Sequence, residues 1–168
     1  VKYDGSSFSI TDMKGVLPSN FIQDILIDDN KMWVATNKGL TVIDQLGGKI
    51  IIPIEKDKLL QEDIQSISKS RDGVYFVGTS TGVYLYDPYS FQTITSYEGI
   101  PVAENWMSGI LDIDIDNNGY LWIASGEFGI FKLKNGVIEE HFNSDNSEIP
   151  QNYTCLLYTS DAADDRDS

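Results

Sequence analysis

Asp114-Ile115-Asp116-Asn117-Asn118-Gly119 is the stretch of this chain whose residue types and spacing come nearest to a known site chemistry. Side-chain oxygens at Asp114, Asp116 and Asn118, closed by a glycine, make the opening of a calcium loop, in which alternate positions converge on a hard cation. The twelfth position of such a loop is a bidentate glutamate, and here it is Ser125, while Tyr120 to Ile123 already reads as a strand. The expectation is therefore a hairpin turn with two acidic residues on one strand face, and no metal or other cofactor. Asp28-Asp29-Asn30 is the same turn at an earlier place. Covalent and acid–base chemistry find less. His141 is the only histidine and Cys155 the only cysteine, and no glycine-rich phosphate loop follows a strand and opens a helix. No nucleophile, base and orienting group converge, so a non-catalytic chain is expected.

Trp33, Phe76 and Trp122 have the chemistry to stack on sugars, but their spacing assigns them a structural role. They fall 43 and 46 residues apart, and Gly39, Gly82 and Gly129 repeat at 43 and 47. Around each aromatic the same landmarks recur: a pair of isoleucines (Ile22 and Ile25, Ile64 and Ile67, Ile110 and Ile113), an acidic or Asn-Gly turn, a five-residue run such as Met32 to Thr36, and a glycine turn. Self-similarity at about 40–50 residues with four strands per unit is the sign of a propeller blade. Apolar residues alternate with period two, as in strands with two unlike faces, and helical periodicity is absent. The fold class expected is all-β: a β-propeller fragment of about three four-stranded antiparallel blades, with partial blades at both ends.

The expected boundaries are the end of a preceding blade over 1–16, blades over 17–56, 57–98 and 99–145, and the start of another over 146–154. Residues 155–168 turn abruptly to Ala, Asp and Ser, and are expected to be a non-native or disordered tail. Three blades do not close a ring that usually needs four to eight, so the remaining blades of the same propeller, or of its parent chain, are the first partners expected. With 26 acidic and 12 basic residues and a net charge of −14, the chain lacks the clustered cations that nucleic acid and anionic membranes require. No apolar run is long enough to span a membrane and no signal sequence is visible.

Leu17-Pro18-Ser19-Asn20, an isoleucine pair, an acidic turn, Trp33-Val34-Ala35-Thr36 and Gly39-Leu40 to Asp44 together resemble the two-component regulator propeller repeat, and Ile110 to Lys134 carries it again. The middle copy departs, with Phe76 for Trp and Leu59-Leu60 in place of the Leu-Pro turn. The resemblance covers roughly residues 1 to 154. It implies the extracytoplasmic, periplasmic part of a hybrid histidine kinase, of a kind common in gut bacteria that respond to glycan fragments, with an oligosaccharide ligand and a homodimeric full-length parent. Any kinase chemistry would lie outside this chain. A protein-interaction scaffold and part of a propeller lyase or hydrolase are the alternatives.

By analogy with other propellers, the loops entering first strands and those joining second to third strands share one rim. That rim collects Asn20, Phe21, Asn37, Lys38, Thr81, Glu104, Asn105, Trp106, Glu127 and Phe128. Flat aromatics beside amides and carboxylates suit a sugar, whose ring has apolar faces and hydroxyl edges.

Overall fold

A computed structural model describes residues 2–3, 6, 8–9, 17–44, 62–87, 92–96, 109–155 and 157. Every regular element among them is a strand. β1 (Lys2–Tyr3) pairs with β2 (Phe8–Ser9). The first blade follows as β3 (Ile22–Asp28), β4 (Lys31–Thr36) and β5 (Gly39–Asp44). The second is β6 (Ile64–Lys69), β7 (Tyr75–Thr79), β8 (Gly82–Asp87) and β9 (Gln92–Ser96). The third is β10 (Ile110–Ile115), β11 (Leu121–Ser125), β12 (Gly129–Lys134) and β13 (Val137–Phe142). Within each blade the strands lie in chain order and pair antiparallel. The all-β, propeller-fragment architecture expected from the repeat is thus present. The outer strand expected over Lys49 to Ile54 lies outside the described residues.

Turn chemistry explains the hairpins. After β3 the chain reverses on Asp29 and Asn30, with Asp29 at φ 50. After β6 and β10 the pairing continues to Ser70–Val74 and Asp116–Tyr120, which enclose three residues, and Gly73 (φ 83) and Gly119 (φ 76) take the left-handed position, which glycine adopts without a Cβ clash. Thr36 and Thr79, at the ends of β4 and β7, each donate from the hydroxyl to the carbonyl three residues on, Gly39 O at 2.7 Å and Gly82 O at 3.0 Å.

The core lies between blades. Trp33, Ala35, Leu40 and Val42 pack on Ile64, Ile67, Tyr75, Val77 and Tyr86 of the second blade. Phe76 and Val83 then pack on Ile110, Ile113, Leu121, Ile123, Phe131 and Leu133 of the third. Aromatic, β-branched and small residues alternate so that each second strand nests against the isoleucines of the next first strand. Gly78 shows how close the approach is: a Cβ there would sit 2.8 Å from Ile110 Cγ2. The first blade's isoleucines behave differently from the alternation the sequence suggests. Ile25 and Ile27 are about half exposed, at 52% and 56%, while Leu26 on the opposite face joins the core. The isoleucine side of β6 is covered by the first blade and that of β10 by the second.

A second joint runs along the first strands. Each carries a bulge at one repeat position, between Ile22 and Asp24, Ile64 and Ser66, and Ile110 and Asp112. The bulged side chain reaches forward. Asp24 accepts from Ile67 N at 2.9 Å, Ser66 Oγ from Ile113 N at 3.2 Å, and Asp112 from Leu157 N at 2.7 Å. Leu157 N thus meets Asp112 as Ile67 N meets Asp24 and Ile113 N meets Ser66.

Candidate functional site

The rim is built from the second-strand ends upward. A hydroxyl at Thr36, Thr79 or Ser125 accepts from the backbone of the following turn: Lys38 N at 3.2 Å, Thr81 N at 3.0 Å and Phe128 N at 3.4 Å. This fixes Lys38 and Thr81 alike, two residues past the hydroxyl and exposed, while on the third blade the bond spans three residues and Phe128 turns toward the core. Phe21 is 72% exposed. Its N donates to Ser19 Oγ at 3.1 Å, and its carbonyl accepts from Asn37 N at 3.3 Å, which joins the two rim loops of the first blade. The exposed Phe21 thus follows Asn20 on a loop bonded through its backbone to the Asn37–Lys38 turn, where Asn37 Oδ1 is buried with no hydrogen-bond partner among the described residues. On the second blade Thr81 Oγ1 shares hydrogen bonds with Thr79 Oγ1 at 3.1 Å and Tyr84 OH at 3.0 Å. On the third, Glu127 is exposed and Phe128 half-buried against the core, with the Phe128 carbonyl 2.5 Å from His141 Nε2. Among the described residues these groups form one cluster per blade, and no hydrogen bond links the rim clusters of different blades. Glu104, Asn105 and Trp106 lie outside the described residues.

The calcium-loop candidate closes on itself. Asp116 Oδ1 accepts from Asn118 N and Tyr120 N, both at 2.9 Å, and its Oδ2 from Trp122 Nε1 at 3.0 Å. Burial alone would raise the Asp116 carboxyl, but these bonds and the charge of Lys132 outweigh it and hold the group below its ordinary value. Asp114 accepts from the neighbouring Ile115 N at 2.8 Å. Both carboxylates therefore serve the strand and turn, as a hairpin requires. Among the described residues no group of three His, Cys, Asp or Glu side chains is arranged to hold a metal ion. His141 stacks on Phe131 at 4.1 Å, nearly parallel, and is occupied with the Phe128 carbonyl.

Two polar constellations were not singled out from the sequence. Asp28 takes Lys69 Nζ at 2.5 Å and the Tyr75 hydroxyl, both from the next blade. Asp112 is pushed up, first by burial and further by the Asp24 charge, against the opposing bonds from Leu157, Ser66 and Ile113. In strands that also carry other polar residues, such as Gln23, Gln65 and Asp114, neither stands out until the three copies are aligned.

Residues 16–38 match the family model described as the two component regulator propeller. The chain carries a two-component regulator propeller repeat. Among solved structures, the propeller is similar to the extracellular domain of the hybrid two-component system BT3049 from B. thetaiotaomicron, at 26% identity and a TM-score of 0.62, over 78% of this chain and 18% of that one. It is also similar to the extracellular domain of BT4673 from the same organism, at 20% identity and a TM-score of 0.61, over 73% of this chain and 17% of that one. The third is PorZ, a surface component of the type-IX secretion system of Porphyromonas gingivalis, at 16% identity and a TM-score of 0.64, over 83% of this chain and 23% of that one. The last two likenesses establish the fold alone. No curated protein matches the sequence. The chain spans about a fifth of the length of these structures. Among the described residues no helix is long and apolar enough to cross a membrane.

Proposed function

We propose that the chain is part of the extracytoplasmic sensory propeller of a two-component regulator, that it binds rather than catalyses, and that its rim takes a carbohydrate-like ligand. The observation that carries this reading is that the family match, residues 16–38, contains four rim residues, Asn20, Phe21, Asn37 and Lys38. The Asn37–Phe21 backbone bond draws their loops together beside an exposed aromatic ring. The extracellular setting of BT3049, at 26% identity, supports the location. A flat exposed ring with the Asn20 carboxamide next to it in the chain and the exposed Lys38 on the joined loop fits a sugar face and its hydroxyl edge, while Asn37, whose Oδ1 is buried, serves to hold the loop. In this reading the full-length parent supplies the signalling output and pairs into a homodimer.

The test is isothermal titration of the full chain with a panel of neutral and uronic oligosaccharides, repeated with Phe21→Ala and Lys38→Ala. Loss of the stacked ring should weaken binding by about three- to tenfold, with circular dichroism unchanged. A panel that gives no heat with folded protein, or binding indifferent to both substitutions, refutes the reading.

A further inference from the structure

We propose that the cleft between the second and third blades, at the end of the blades opposite the rim, binds a small uncharged ligand that combines a compact apolar group with a hydrogen-bonding edge. The groove between adjacent blades is built differently at its two occurrences. Between the first and second blades it is filled: Asp28 holds Lys69 and Tyr75, Lys69 Nζ lies 5.5 Å from the centre of the Tyr75 ring, and Tyr75 stacks on Trp33 at 4.4 Å. One repeat on, strand register sets Ser70 in the place of Asp28, Ile115 in that of Lys69, and Leu121 in that of Tyr75. Phe76 likewise replaces Trp33, and Leu133 replaces Tyr86. Each replacement is smaller or has lost its polar head, and only Leu85, in the place of Val42, adds a methylene. The plug is gone, and a cleft of about 440 Å³ opens where the turns after β6, β10 and β12 meet. That volume falls in the ordinary range of small-molecule sites, roughly 300–1,000 Å³.

The lining indicates the ligand class. Its floor is apolar: Phe76, Leu85, Ile115, Leu121 and Leu133. Its edge carries the carboxamides of Asn117, Asn118 and Asn135, which make no hydrogen bond among the described residues. Each offers a donor and an acceptor, the complement of a hydroxyl or an amide. Arg71 is opposed at the edge by Asp72 and Asp116, and it already donates to Asn117 O at 3.3 Å. No cationic excess is left to draw in a phosphate or a carboxylate-rich ligand. This site is independent of the rim, which lies at the turns after β4, β7 and β11.

The probe for the test is N-acetyl-L-phenylalaninamide, an aryl group on two uncharged amides, titrated into the ¹⁵N-labelled full chain up to the millimolar range expected of so small a ligand. Saturable shifts should appear over Ser70 to Val74 and at Asn117, Asn118 and Asn135, and phenyl phosphate should bind at least tenfold more weakly. The triple variant Ser70→Asp, Ile115→Lys, Leu121→Tyr rebuilds the first groove's plug and should abolish saturation. Asn118→Ala, at an exposed turn position that leaves the core untouched, should weaken binding several-fold. The proposal is overturned by absence of saturation, by shifts centred elsewhere, by equal binding of phenyl phosphate, or by unchanged binding in both variants.

Discussion

Trp33 and Trp122 occupy the same repeat position but differ in what covers them, and truncating each to alanine isolates the contribution of the neighbouring blade. Trp33 has no exposed surface, stacks on Tyr75 at 4.4 Å and meets Tyr86 edge-on at 5.9 Å. A buried tryptophan cut to alanine costs about 3–5 kcal/mol through lost transfer energy and the cavity left behind. Trp122 is half-buried, stacked on Phe142 at 6.1 Å, and bound through Nε1 to Asp116. Its removal should cost about 1–2 kcal/mol, from partial burial and one hydrogen bond. Trp33→Phe adds a control. Trp33 Nε1 is buried without a partner among the described residues, so phenylalanine removes an unsatisfied donor while leaving a smaller cavity, and the loss should be about 1 kcal/mol. Urea unfolding of the full chain, followed by far-ultraviolet circular dichroism at constant m-value, measures all three. Equal losses for Trp33→Ala and Trp122→Ala, or a Trp33→Ala loss below about 1 kcal/mol, would refute the claim that the core lies between blades.

Protonation should act oppositely on two carboxylates. Burial raises Asp28, but its bonds to Lys69 and Tyr75 outweigh this and lower the carboxyl. Its contribution is therefore present above the ordinary value of 3.8 and lost as pH falls through the lower folded value. Asp28→Asn should cost about 1 kcal/mol at pH 7, given solvent screening, and nothing in strong acid, as pH-dependent denaturant melts will report. Asp112 is raised, so its contribution is full below 3.8 and is lost as pH rises through the higher folded value. Asp112→Asn should flatten the stability profile just above 3.8, and a profile unchanged there would refute this account. Gly129→Ala should be severe, because φ is 85 and a Cβ would lie 2.2 Å from Phe142 O. Gly119→Ala, with the same sign of φ but open space around it, should cost only the backbone term of about 1–2 kcal/mol, as thermal melts of the two variants will show.

The blades were legible because period and turn chemistry act locally. The apolar run Met32 to Thr36 and the turns at Asp29-Asn30, Gly73 and Gly119 place strand ends within a residue or so of those observed. The role of Trp33 followed from its recurrence, since a residue repeated in register faces the next blade wherever that blade covers it, as at Trp33 and Phe76. Ile25 and Ile27 were less readable: alternation shows that a strand has two faces, not which one a neighbouring blade covers. The joints at Asp24, Ser66 and Asp112 were hidden for a related reason. Their partners lie more than 40 residues away, and a polar residue on a strand resembles ordinary solvation until the bulge that turns it toward the next blade is known. The cleft arises from what five aligned positions lack, and period alone cannot report a missing plug.

The forward-reaching side chain at each bulge has a consequence for how such chains grow. The second and third units carry both halves of the fastener, an acceptor facing the successor and a backbone amide facing the predecessor. A gene segment encoding one unit can therefore be duplicated or deleted in frame without inventing a new junction, and the copies can only be threaded in one direction. Selection is then free to alter the groove between any two units, filling it with an ion pair in one place and leaving it vacant in another, while the thread that keeps the units in order stays the same.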